Sequence, residues 1–119
     1  MLTDRERRRL ERERDALLAE LRGLGNLMRG TVVEVGVKCG RPGCACEQGE
    51  RHRKVHLSLN LGGRTQGCYL GEERAAVVAP LLAEYERAWR LINELTAVNL
   101  ALLRGTHPGG RTPKRRAAR

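Results

Sequence analysis

The spacing of hydrophobic residues in the first part of the chain predicts a charged helix with one apolar seam. Residues Thr3 to Glu6 match the capping box, in which a Thr hydroxyl caps the first turn and a Glu three residues later reaches back. Leucine then recurs every seven residues from Leu10 to Leu24. This spacing predicts a helix over about residues 4–22 that ends near Gly23 or Gly25.

The middle of the chain changes to a period of two, which is typical of strands with one buried face. The first strand is predicted over Thr31 to Lys38 and the second over Val55 to Leu61. Gly62-Gly63 tolerates positive φ at both positions and predicts a tight hairpin to a third strand, Arg64 to Leu70. In the first strand we expect alternate valines to share the buried face, namely Val33, Val35 and Val37.

The chain from Gly71 onward has a helical pattern interrupted by Pro80, so either a short helix precedes a second one or a single helix kinks there. Beyond Pro80, steps of three and four residues are typical of a coiled coil or helical hairpin. We expect this stripe to form a homo-oligomer, with an intrachain core face as the alternative, and Asn99 to fix register. The stripe consists of Tyr85, Ala88, Ile92, Leu95, Asn99 and Leu102.

These patterns predict an α+β fold made of four successive segments. An N-terminal charged helix occupies residues 1–29, a three-stranded antiparallel β-meander 30–71 and a long C-terminal helix 72–103. The last segment, 104–119, carries six basic residues and no acidic one, and we expect it to be a disordered basic tail. It supplies most of the net charge of +9, which favours a polyanionic partner such as nucleic acid.

Composition indicates a small core and no membrane segment. Aromatic residues make up 3% of the chain and Phe is absent, so a metal or a partner chain is a plausible supplement to hydrophobic burial. The charged amino terminus is not followed by an apolar run, so neither a signal peptide nor a membrane span is expected. A cytoplasmic location is the expectation, and there close-set cysteines are more often metal ligands than disulfides.

Three cysteines within eight residues predict a zinc site. Cys39, Cys44 and Cys46 are spaced by Gly and Pro residues that allow a sharp turn, and His52 follows six residues later. Cys₃His is a common structural set for tetrahedral Zn²⁺, so we expect these four residues to bind it. His56 is the alternative fourth ligand, less favoured because strand register would fix it, whereas His52 is expected in a loop.

Other chemistries of the cysteines remain as alternatives. They are an iron–sulfur or thiol redox centre, and reduced thiols without a metal. Catalytic zinc would need an open coordination position and a carboxylate base, but the nearby Glu47 and Glu50 are typical solvated loop residues, so no enzyme activity is expected. Cys68 is expected to be a small side chain packed in the sheet.

Basic residues around the cysteine loop and in the tail are candidates for binding phosphate. Scarce aromatic residues argue against base stacking, so we expect contacts chiefly with the backbone of DNA or another nucleic acid. A protein–protein adaptor that oligomerises through its long helix is the alternative function. The candidate nucleic-acid contacts are Lys38, Arg41, Arg51, Arg53, Lys54, Arg111, Lys114, Arg115 and Arg116.

The runs Met28 to Val33 and Cys39 to Cys46 resemble a family of small bacterial proteins with an uncharacterised domain. In that family an RGS element precedes a strand, and CGKPNCRC is followed by HGPYYYLS, a hairpin and a long helix. The resemblance covers roughly residues 22–103. It implies a zinc-ribbon-like site at the three cysteines and His52, and an association with transposases. The aromatic run after the family histidine is replaced here by residues 53–57, so a binding surface built on those aromatics would be altered.

Overall fold

The computed structural model describes residues 1–37, 40–45, 49 and 52–106. Within them lie two helices and a three-stranded antiparallel sheet of order β1-β2-β3, which confirms the predicted α+β class. The described residues fall into two compact units, one of residues 1–23 with 88–106, and one of residues 24–87. The elements are α1 (Asp4–Arg22), β1 (Thr31–Val37), β2 (His52–Leu61), β3 (Arg64–Tyr69) and α2 (Gly71–Arg104).

Helix α1 begins with the predicted capping box. The backbone N–H of Glu6 donates to Thr3 Oγ1 at 3.1 Å, and the N–H of Thr3 donates to Glu6 Oε2 at 3.5 Å. These bonds satisfy two donors that the first turn would otherwise leave unpaired. Leu17 is the buried residue of the helix, and its other positions are dominated by charged side chains.

The first unit packs α1 against the second half of α2. A Cβ added at the buried Gly105 would lie 2.5 Å from Leu2 Cδ1, so the end of α2 lies beside Leu2, just before the start of α1. The buried line of α2 here advances in steps of three and four, a coiled-coil spacing. It consists of the buried Ala88, Leu91, Val98 and Gly105 and the half-buried Leu95 and Leu102.

The predicted stripe on α2 is only partly the buried line. Ala88, Leu95 and Leu102 do lie on it, but Ile92 and Asn99 are exposed, and their neighbours Leu91 and Val98 are buried instead. The predicted stripe and the observed buried line both have the three-and-four spacing. The line through Leu91 and Val98 is buried because it contains no polar residue, whereas burying the predicted stripe would also bury the polar Asn99.

The second unit has its core between the sheet and the first half of α2. Leu57, Leu70 and Val78 form the buried cluster. Because side chains alternate along a strand, the leucines of β2 place one face of the sheet against α2. The partly buried side chains around this cluster are Met28, Val55, Leu59, Ala75 and Leu82.

The expected buried face of β1 is wrong. Val33 pairs with His56 and Val35 pairs with Lys54, so both valines lie on the sheet face turned away from the core, 41% and 42% exposed. Val32, opposite the buried Leu57, is on the core side although it is also 41% exposed, so the register and not the exposure distinguishes the two faces. The side chain of Val37 lies outside the described part of the structure. The leucines of β2 are buried in the core, and this fixes which face of β2 points inward. Because β1 is an edge strand that pairs with β2, the register of β1 follows, even though it leaves Val33 and Val35 exposed.

The backbone shows the outcome for the predicted hairpin at Gly62-Gly63 and for the helix at Pro80. Gly62 and Gly63 have φ of +60° and +81°, as a two-residue type I′ hairpin requires. Helix α2 continues through Pro80 as one helix. Among the described residues, no helix is long and apolar enough to cross a membrane.

Glu84 of α2 holds the segment that leads into the sheet. Its carboxylate accepts the Gly25 N–H at 2.7 Å and two bonds from the Arg87 guanidinium at 3.0 and 3.1 Å. The Met28 N–H donates to the Leu81 carbonyl at 3.1 Å. The bonds from Arg87, followed by the bond from Gly25, lower the pKa of Glu84 from 4.5 to about 2.

Candidate metal and nucleic-acid site

The segment between the first two cysteines of the cluster forms a tight turn. The Cys44 N–H donates to the Arg41 carbonyl at 3.3 Å, and Gly43 has a φ of +76°. With Pro42 at the second position, this is a type II β-turn, which requires positive φ at its third position. The Gly and Pro residues therefore shape the backbone as the sequence predicts, and the turn ends at a cysteine.

The turn brings Cys44 to His52. Cys44 Sγ lies 3.1 Å from His52 Nε2, and Cys44 is half-buried while His52 is exposed. The expectation that His52 lies in a loop is wrong, because it is the first residue of β2 and pairs with Val37. The sheet register therefore fixes the orientation of His52. Such a constraint was expected for His56 and not for His52.

The Cys44–His52 pair fits half of a tetrahedral zinc site. With bond lengths of about 2.3 Å to sulfur and 2.0 Å to nitrogen, two ligands of one Zn²⁺ lie roughly 3.5 Å apart. The observed 3.1 Å is a hydrogen-bond distance that a small rotation of the imidazole would open to that value. Thiolate and imidazole are also the donor types that zinc prefers.

The other two predicted ligands, Cys39 and Cys46, lie outside the described residues. Within the described ranges, no group of three or more His, Cys, Asp or Glu side chains converges on one point. The structure thus brings together two of the four predicted ligands, and the complete set remains a prediction.

His56 and Cys68 have other surroundings. His56 lies four residues beyond His52 on β2, about 13 Å along the strand. Its half-buried ring is edge-on to Tyr69, with ring centroids 5.7 Å apart. Cys68 is exposed on β3 rather than packed, and its thiol donates to the Tyr69 carbonyl at 3.6 Å.

The two described basic residues at the start of β2 point to opposite faces of the sheet. Arg53 forms an ion pair with Glu34 at 3.2 Å, and Lys54 Nζ lies 5.5 Å from the centre of the Tyr69 ring. Arg41 is exposed in the turn. Sequence reasoning treated Arg53 and Lys54 as one patch, but adjacent strand residues cannot share a face. The other predicted contacts lie outside the described residues: Lys38, Arg51, Arg111, Lys114, Arg115 and Arg116.

The sheet face opposite the core, here called the open face, carries Lys54. Contacts of Tyr69 with His56 and Lys54 show that these three side chains share it. Among its described residues there is no Asp or Glu, whereas the core side of β1 carries Glu34. The register assigns to the open face Thr31, Val33, Val35, His52, Lys54, His56, Ser58, Asn60, Thr65, Gly67 and Tyr69.

Sequence reasoning missed Tyr69 and the role of Arg29. Tyr69 is 54% exposed and forms the aromatic centre of the open face. Its position on a strand three residues before the predicted helix gave no sign of that role. The Arg29 guanidinium donates to the Asn60 carbonyl at 2.7 Å, beside a groove of about 420 Å³ that Tyr85 and Glu86 also line.

Comparison with known proteins identifies the family. The chain belongs to the family described as Domain of unknown function (DUF6788), whose model matches residues 4–79. This range contains α1, the sheet, the turn at Cys44 and the start of α2, and it confirms the expectation of an uncharacterised domain. No curated protein and no solved structure shows significant similarity to the chain.

Proposed function

We propose that this DUF6788 chain is a non-catalytic, zinc-stabilised protein that binds nucleic acid through its open face. The observation that carries the proposal is the coincidence of two features on that face. His52, which contacts Cys44 at 3.1 Å, stands two residues from Lys54, and the sheet register assigns no Asp or Glu to the described residues of that face. One end of the face would thus contribute metal ligands, and its surface would be available to a polyanion.

Zinc has a structural role in this proposal. Cys39, Cys44, Cys46 and His52 would hold Zn²⁺, whose binding energy in comparable sites is about 10 kcal/mol or more. The described hydrophobic core consists of a few Leu, Val and Ala residues, so a contribution of that size would matter for the loop between β1 and β2. No reaction is assigned to the site.

Nucleic acid would contact the open face mainly through phosphate. Lys54 is the described cation of this face, and the Thr and Ser side chains at the other end of the face, Thr31, Ser58 and Thr65, can donate to phosphate oxygens. Tyr69 offers one exposed ring, which is too little for a stacking platform. The basic residues of 111–116 would add sequence-independent attraction. The resemblance to transposase-associated proteins favours DNA and an accessory role in transposition.

Salt-dependent binding of duplex DNA tests the proposal. The full chain should bind an unrelated duplex, with affinity falling linearly on a log–log plot of salt concentration. Lys54→Gln should reduce the magnitude of that slope by about one, because one phosphate contact is lost. The matched control is Arg90→Gln, on α2 and already paired with Glu94 at 3.3 Å, which should leave the slope unchanged.

Two results would overturn the proposal. One is an absence of DNA and RNA binding at low salt, and the other is equal slopes for the parent chain and Lys54→Gln. If a partner protein were captured instead, and its binding survived neutralisation of Lys54 and residues 111–116, the adaptor function would replace this one.

A further inference from the structure

Helix α2 carries a second apolar line, here called the outer stripe, that the first unit leaves exposed. Trp89 is 53% exposed, Ile92 45%, Leu100 42% and Leu103 61%. Thr96 lies between them, and its hydroxyl donates to the Ile92 carbonyl at 2.7 Å, so its methyl group is available for apolar contact. At 100° per residue the outer stripe lies about 130° around the helix from the buried line.

The spacing of the outer stripe is symmetric about Thr96. From Trp89 to Leu103 its members advance by three, four, four and three residues. If a second copy of α2 runs antiparallel with the two Thr96 residues opposed, Trp89 meets Leu103 of that copy and Ile92 meets Leu100. A two-fold interface requires such self-complementarity, in which each contact occurs twice.

The charges beside the outer stripe fit the same arrangement. Glu86 and Arg104 are exposed, and they are separated by 18 residues, which is five full turns, so they lie on the same side of the helix. Antiparallel pairing would bring Glu86 of one copy close to Arg104 of the other, at both ends of the contact. The ion pair of Arg90 with Glu94, at 3.3 Å, is formed within the helix and needs no partner.

We infer that the outer stripe binds the outer stripe of a second copy, giving an antiparallel homodimer. This inference is independent of the proposed nucleic-acid function, because it rests on residues 86–104 alone. Homo-oligomerisation through α2 was expected from the sequence, but through a different set of residues. Of that set only Ile92 belongs to the outer stripe, since Ala88, Leu95 and Leu102 pack within the chain.

Sedimentation of the full chain over a range of concentrations tests the association. The mass should rise from 13.3 kDa toward twice that value as concentration increases. Ile92→Asp combined with Leu100→Asp should remain at the monomer mass with unchanged helical circular dichroism, because both side chains are exposed. Val77→Asp is the control, since Val77 is 66% exposed on the same helix but outside the stripe, and it should still dimerise.

Charge reversal tests the antiparallel orientation. Glu86→Arg or Arg104→Glu alone should weaken the dimer roughly 2- to 30-fold, since each change affects two exposed ion pairs. The combined variant should restore the parent affinity. A parent chain that stays monomeric at every concentration overturns the inference, as does a double Asp variant that still dimerises. A combined reversal that fails to restore affinity overturns the antiparallel pairing.

Discussion

The contact between Cys44 and His52 is the residue-scale feature on which the site depends. The cysteine spacing identified both residues, because Gly and Pro between sulfurs allow a turn whatever the surrounding fold. The position of His52 in a strand could not be predicted from the cysteine spacing. It depends on how far β1 continues to pair with β2, and the polar sequence 52–54 gives no alternating hydrophobic signal.

Replacing single ligands should separate His52 from His56. We expect Cys44→Ser and His52→Ala to weaken Zn²⁺ binding by roughly 100-fold or more, since even outer-shell partners contribute 10- to 100-fold. His56→Ala is the matched control, because its ring contacts Tyr69, and it should leave the affinity unchanged. Competition with a chromophoric chelator measures the affinities. A larger loss for His56→Ala than for His52→Ala would show that the ligand is misassigned.

Glu84 should make stability depend on pH in the acid range. Its pKa in the folded chain is about 2, below the ordinary 4.5, so its contribution is fully present above pH 4.5 and is lost as pH falls toward 2. Glu84→Gln should flatten the decline in thermal stability between those values. Glu73→Gln, exposed in the first turn of α2, should not. An unchanged pH profile in Glu84→Gln would contradict the role of the bonds from Arg87 and Gly25.

At the scale of elements, the helix cap and the hairpin were predictable and the buried faces of β1 and α2 were not. Capping boxes and Gly-Gly turns depend on a few adjacent residues. The buried face of β1 depends on the neighbouring strand, and its valines are compatible with either side. On α2, a line through Leu91 and a line through Ile92 fit the same periodicity. Which of the two is buried therefore depends on the segment that packs against the helix.

Truncation of neighbouring residues on α2 should show which line is the core. Leu91 is 1% exposed, so Leu91→Ala should lower the free energy of unfolding by about 2–5 kcal/mol, through lost burial and a cavity. Ile92→Ala should cost much less in dilute solution, where the chain is monomeric, because its side chain is 45% exposed. Urea unfolding measures both. Equal decreases in the free energy of unfolding for the two variants would mean that the buried line of α2 is wrongly assigned.

For the whole molecule, the sequence was sufficient for the order of the elements but not for its surfaces. The basic residues of the cysteine loop were predicted as one patch, yet strand alternation sends Arg53 toward Glu34 and Lys54 to the open face. That division depends on the sheet register, which no local composition reveals. The outer stripe was likewise not predicted, because several overlapping lines along α2 fit the same three-and-four spacing and only packing shows which side chains remain exposed.

Metal content of the freshly purified, reduced chain decides whether an ion holds the loop between β1 and β2. We predict one Zn²⁺ per chain, and a marked loss of thermal stability when a strong chelator removes it, with recovery on adding Zn²⁺ back. A chain that carries no stoichiometric metal and melts at the same temperature with and without the chelator would contradict the zinc site.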